Sequence, residues 1–135
     1  MIDDEIADVL DNLQRFDDVL ACMFVRSNAN DILPRTVHFK PGVEKIWKVS
    51  THAVEKIFRT IHAMDPLSVP KIEVELKDYY VLHFILPDKE SMLISVIPRK
   101  TRGLGLIKIE MENTRRDILK LIGEPVIQPS KEVLA

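Results

Sequence analysis

Three groups of side chains in this 135-residue chain have types and spacing that could support chemistry or recognition. The first is Arg99-Lys100-Thr101-Arg102 followed by Gly103-Leu104-Gly105, which sets basic residues and glycines ahead of a helix, where free backbone N–H groups attract anions. A nucleotide fingerprint needs more than this. The third glycine of a dinucleotide motif is missing, Leu106 to Glu110 holds no Lys-Ser/Thr pair of a phosphate loop, and the strands before it read as antiparallel. A structural turn that carries basic residues is the stronger reading. An enzyme acting here on a phosphorylated substrate would need a base, for which Glu110 and Asp88 are only nominal candidates.

The second group is made of metal-binding and nucleophilic types. His38, His52, His62 and His83 are never three or four apart, so no helix face offers a metal pair, and Cys22 lies in an apolar run that reads as a buried structural thiol. Adjacent carboxylates such as Asp3-Asp4-Glu5 belong to a solvated strip, whereas acid–base catalysis draws on a partly desolvated pair. Ser, His and Asp form no recognisable nucleophile context. The expectation is therefore no catalytic residue, no cofactor and no metal.

The third group is a basic ridge. At 100° per residue, Lys45, Lys48, His52, Lys56 and Arg59 fall within an arc of about 80° opposite an apolar stripe, with Glu44 and Glu55 only flanking it. Such a ridge would attract and orient an acidic partner surface. A solvated helix face would also carry lysines simply because it must be polar.

Hydrophobic periodicity predicts the helices and strands on which these groups sit. From Asp3 to about Phe16, Ile2, Ile6, Val9, Leu10, Leu13 and Phe16 share one arc and Asp4, Asp8, Asp11 and Arg15 lie opposite, which predicts a one-sided surface helix. Val19 to Val25 is a short apolar run bounded by polar turns and reads as a central strand; Ile32 to Phe39, with Pro34 inside it, reads as an edge strand ended by Lys40-Pro41-Gly42. Val43 to Met64 reads as a long helix with Ile46, Trp47, Ser50, Ala53, Val54, Ile57, Phe58, Ile61 and Met64 on its core face, stopped by Asp65-Pro66. Lys71 to Lys77 alternates charged and apolar residues strictly, so one face should be buried and the other wet. Tyr79 to Leu86 and Met92 to Ile97 follow as a hairpin through Pro87-Asp88-Lys89-Glu90. Leu104 to Ile122 is a final helix, stopped by Gly123 and Pro125. Leu106 and Ile109 fall off its apolar face, which predicts cover on a second side by the first helix or another chain. The result is an α+β chain of order αββαβββα with a five-stranded, mostly antiparallel sheet, one domain over residues 1–123 and a tail over 124–135.

Composition narrows the class. With 46% hydrophobic and 30% charged residues the chain reads as a folded protein, and a single cysteine excludes an internal disulfide framework. The acidic start and the lack of a long apolar run predict a cytoplasmic protein that does not enter a membrane. Residues 1–18 hold seven acids against Arg15, so the net charge of −2 hides an acidic first helix, and no overall basic excess points to nucleic acid.

The element order, with a hairpin running into Gly103-Leu104-Gly105-Leu106-Ile107-Lys108-Ile109-Glu110 and then a helix, resembles the roadblock family of dynein light-chain-like proteins. The resemblance covers almost the whole chain and is sharpest at Gly105 to Glu110. It implies a sheet of order 2-1-5-4-3 with the long helix on one face and the terminal helices on the other. It also implies dimers, with an identical or a related roadblock-like copy, joined edge strand to edge strand and long helix to long helix. Such modules act as non-enzymatic platforms for small Ras-like GTPases, motors or larger assemblies, and in bacterial polarity systems they assist a GTPase in hydrolysing GTP.

The expected dimer edge is Lys71, Ile72, Glu73, Val74, Glu75, Leu76 and Lys77. Antiparallel pairing centred on Val74 would oppose like charges, whereas centring on Ile72 or Leu76 opposes Lys to Glu, which favours an offset register by roughly 0.2–1 kcal/mol per pair. The alternative is an edge that uses charge to discourage pairing. The functional expectation is a scaffold that contacts a small GTPase through the long helix; a sensor binding a small ligand between sheet and long helix is the runner-up.

Overall fold

A computed structural model describes residues 2–26, 31–35, 42–88 and 91–123. The expectations for the turn at 27–30, the end of the second strand and its following loop at 36–41, the tip of the hairpin at 89–90 and the tail at 124–135 fall outside the described residues. The elements are α1 (Ile2–Gln14), β1 (Ala21–Arg26), β2 (Asp31–Arg35), α2 (Val43–Met64), β3 (Lys71–Glu75), β4 (Tyr79–Ile85), β5 (Met92–Pro98) and α3 (Leu104–Ile122). Gly42, at φ 94°, stands at the start of α2 in the left-handed region that glycine enters without steric cost.

The strands form one antiparallel sheet in the order β2-β1-β5-β4-β3. Side-chain alternation divides the core in two. Cys22, Phe24, Leu82, Phe84, Leu93 and Ile97 face the layer of α1 and α3, where Ile6, Leu10, Leu13, Ile107, Met111 and Ile118 are buried against them. Ala21, Met23, Val25, Val81, Ile85, Ile94 and Val96 face α2, which contributes Val43, Trp47 and Val54. Strands β1, β4 and β5 are covered on both faces, which is why their sequences are nearly continuous apolar runs.

Two expectations about helix faces need correction. Only Val43, Trp47, Ser50, Thr51 and Val54 of α2 are buried; Ala53 is exposed, Ile57 is 45% exposed and Met64 74%. The stripe is wider than the described sheet covers: Ile46, Val49 and Ala53 stand beside Val74 and Leu76 at the edge of β3, the last strand of the sheet, where Val49 and Ala53 are left open. On α3, Leu106 is 65% and Ile109 60% exposed, so α1 does not cover them. The edge strand is also shorter than expected. It ends at Glu75 because the Leu76 N–H donates to the Tyr79 carbonyl at 2.8 Å, closing the turn into β4.

Candidate interaction surface

The free edge of β3 is built by its hydrogen-bond phase. The Leu76 N–H donates to the Tyr79 carbonyl and the Ile85 N–H to the Pro70 carbonyl at 3.1 Å, which places Pro70, Ile72, Val74 and Leu76 at the positions bonded to β4. The alternate residues, Lys71, Glu73 and Glu75, therefore direct their backbone N–H and C=O groups outward, where no strand among the described residues meets them. An unpaired edge of this kind is a template for another chain unless something blunts it.

Charge does not blunt it here, because the charged side chains are engaged within the subunit. Lys71, Glu73 and Glu75 lean toward the α3 face: Glu73 meets the Lys108 ammonium at 2.6 Å, Glu75 meets the Arg99 guanidinium at 2.9 Å, and Lys71 meets Glu112. Glu112 also accepts from Arg115 at 2.6 Å, and Arg115 donates to the Ile85 carbonyl at 3.0 Å. The Lys71 and Arg115 cations both lie over the Phe84 ring. Burial alone would raise the Glu112 carboxyl, but the hydrogen bonds and positive charges of Lys71 and Arg115 outweigh it and hold the group below its usual value. The sequence reading missed Lys108, Glu112 and Arg115 as partners of the strand. The available signal was their spacing: Lys108 and Glu112 are four apart on a helix, and Glu73 and Lys71 are two apart on a strand with the opposite charges.

On the other face of the edge, Ile46, Val49, Ser50 and Ala53 of α2 line a groove with Val74 and Leu76, of about 420 Å³ and almost wholly apolar, with Lys45 at its rim. Val49 is 60% exposed. Around α2, at 100° per residue, the exposed Val49, Ala53, Ile57 and Met64 and the half-buried Ile46 thus form an apolar arc about 80° wide between the buried stripe and the basic ridge. Lys45, Lys48, His52, Lys56 and Arg59 are all exposed, away from the sheet. Lys48 is partly committed, its ammonium bonding Glu44 at 2.5 Å one turn earlier.

Beneath the groove, Ser50 Oγ lies 3.2 Å from His83 Nε2, a contact between α2 and the middle of β4 that the sequence did not disclose. His83 is fully buried, and loss of solvent pushes its pKa from 6.5 down to about 4 against weaker opposing interactions with the backbone at Ile72 and Val81. The imidazole is therefore neutral at neutral pH.

The Arg99 to Gly105 loop is a tied turn. Thr101 Oγ1 donates to Asp18 and accepts from the Gly103 N–H at 3.2 Å, while Arg99 donates to the Leu76 carbonyl at 3.1 Å. Glu110 lies 3.9 Å from Arg15, and Asp88 accepts from the Ser91 N–H and hydroxyl in the hairpin, so neither named base is brought to the loop's own bonds. No helix among the described residues is long and apolar enough to cross a membrane.

A single sheet with one long helix on one face and two terminal helices on the other is a roadblock-like architecture, the class the sequence resembles. Among solved structures, the chain superposes on MglB of Myxococcus xanthus with a TM-score of 0.70 and 13% identity, over 87% of this chain and 94% of that one. Identity so low establishes the shared fold and nothing finer. No family model and no curated protein sequence matches the chain.

Proposed function

We propose that this chain is a dimeric, non-enzymatic module that binds and modulates a small Ras-like GTPase, or a complex containing one, in the cytoplasm. The observation that carries this reading is the open edge of β3 beside an apolar groove on α2, set on a roadblock-like fold. Apolar side chains such as Val49 and Ile57, left in water by the subunit alone, are what a second long helix would cover. The basic ridge of Lys45, Lys48, His52, Lys56 and Arg59 then stays in solvent and is the surface offered to an acidic face of the GTPase.

The test is a pull-down with pure protein, repeated with the double variant Lys48→Glu, Lys56→Glu. The wild type should retain a small GTPase and the variant should lose it. Retention after both charge reversals would remove the ridge from the interface, and nucleotide binding by the protein alone would support the enzyme reading instead.

A further inference from the structure

The phase of the β3 hydrogen bonds limits how a second copy can add to this edge, and the charges then choose among the possibilities. Outward backbone groups belong to Lys71, Glu73 and Glu75, so two such strands can form a ladder only if these residues pair with one another. In an antiparallel pair related by a twofold axis, opposing positions sum to a constant. The axis therefore passes through a residue and never between two residues.

We propose that a second copy pairs its Lys71–Glu75 strand with this one about a twofold axis through Glu73, so that Lys71 of each chain faces Glu75 of the other. This inference rests on the dimeric reading above and specifies its register. It is the one arrangement in which all five residues of β3 find partners within β3 of the other copy. An axis at Ile72 runs the partner past the start of the strand to Val69 and Pro70, and an axis at Leu76 runs it into the turn that the Leu76 to Tyr79 bond closes. An axis at Val74 opposes Glu73 to Glu75 and Lys71 to Lys77.

With the axis at Glu73, the salt bridges already present join into alternating lines of charge. Glu112, Lys71, the partner's Glu75 and the partner's Arg99 succeed one another as negative, positive, negative and positive, because Lys71 is bound to Glu112 and Glu75 to Arg99 within each subunit. The two Glu73 carboxylates that meet at the axis each hold a Lys108 ammonium at 2.6 Å, so their repulsion is opposed by two cations. On the groove side, Ile72 faces the partner's Val74 twice, an apolar pair that extends the floor of the groove into the second subunit. The offset registers expected from the sequence counted only cross-strand charges; the subunit's own salt bridges change that balance.

Site-directed disulfides test the register. Residues opposed in a hydrogen-bonded pair have Cα atoms about 5.5 Å apart, inside the range a disulfide spans. The variants Glu73→Cys and Val74→Cys, each with the buried Cys22 retained and wild type as control, are treated with a mild oxidant and read as cross-linked dimer on a non-reducing gel. The expected result is near-complete cross-linking of Glu73→Cys and none of Val74→Cys, whose two copies would be separated by about two residues along the strands, roughly 7 Å, in addition to the strand spacing. A mixture of Ile72→Cys with Val74→Cys should cross-link where neither does alone. Self-cross-linking of Val74→Cys without that of Glu73→Cys would overturn the register while leaving the dimer intact. Sedimentation of the wild type as a monomer would instead remove the dimer, and absence of every cross-link in a protein that sediments as a dimer would place the interface elsewhere.

Discussion

Protonation of His83 should loosen the α2 layer, and its cost can be worked from the structure. The imidazole is fully buried between α2 and β4, with Ser50 Oγ at 3.2 Å, and its pKa is lowered from 6.5 to about 4 by loss of solvent. A group whose folded pKa lies below its unfolded value binds protons more readily when unfolded. Its neutral form thus favours the fold at high pH, and that contribution fades as pH falls from about 6.5 towards 4. Between pH 7.5 and pH 5 the linkage relation gives a loss of about 2 kcal/mol, with a ceiling of roughly 3 kcal/mol in stronger acid. The assay is urea unfolding at both pH values and one protein concentration, for wild type and for His83→Leu, which keeps an apolar side chain at the site and leaves the Ser50 hydroxyl its bond to the Trp47 carbonyl. The difference between the two pH values should shrink by about 2 kcal/mol in the variant. Equal pH dependence in the two proteins would mean that His83 does not take up a proton on unfolding in this range.

Glu112→Gln should cost about 1–2 kcal/mol at neutral pH by urea unfolding, since a charged acceptor for Lys71 and Arg115 is lost. Because the Glu112 pKa is lowered, its contribution is present above about 4.5 and disappears in stronger acid, so the wild type and this variant should converge below that pH. Val49→Asp, at an exposed position in the groove, should leave the subunit's fold intact by circular dichroism yet shift sedimentation from dimer to monomer. Leu106→Ser with Ile109→Ser should change unfolding free energy by less than about 0.5 kcal/mol, because both side chains stand in solvent; a larger loss would mean that this part of α3 is covered.

Much of the architecture was legible from punctuation and period. Gly42 before Val43 and Asp65-Pro66 after Met64 delimit α2, and Gly123, at φ 83°, ends α3, because backbone sterics at a positive-φ glycine and before proline act locally and need no knowledge of neighbours. The strict alternation at Lys71 to Glu75 likewise marks a strand, but its apolar face is not buried as expected: Ile72 and Val74 are only half-covered, because β3 is the last strand of the sheet. Coverage was not legible. Periodicity places Ile57 and Trp47 on adjoining parts of one stripe, but only the position of α2 relative to the sheet edge decides that Trp47 is buried and Ile57 is open. The role of the edge charges was hidden for the same reason: Glu73 and Lys108 are 35 positions apart and meet only because α3 packs behind β3. His83 and Ser50 are joined by the layering alone, and no local pattern in the chain announces them.

The proposed function depends on a second copy occupying the edge of β3 and the groove beside it. Sedimentation equilibrium of the wild-type protein at micromolar concentration reads that pairing from the mass alone. Paired chains would have a mass of about twice the 15.5 kDa of one chain, whereas a mass of 15.5 kDa at every concentration reached would mean that the edge has no second copy on it.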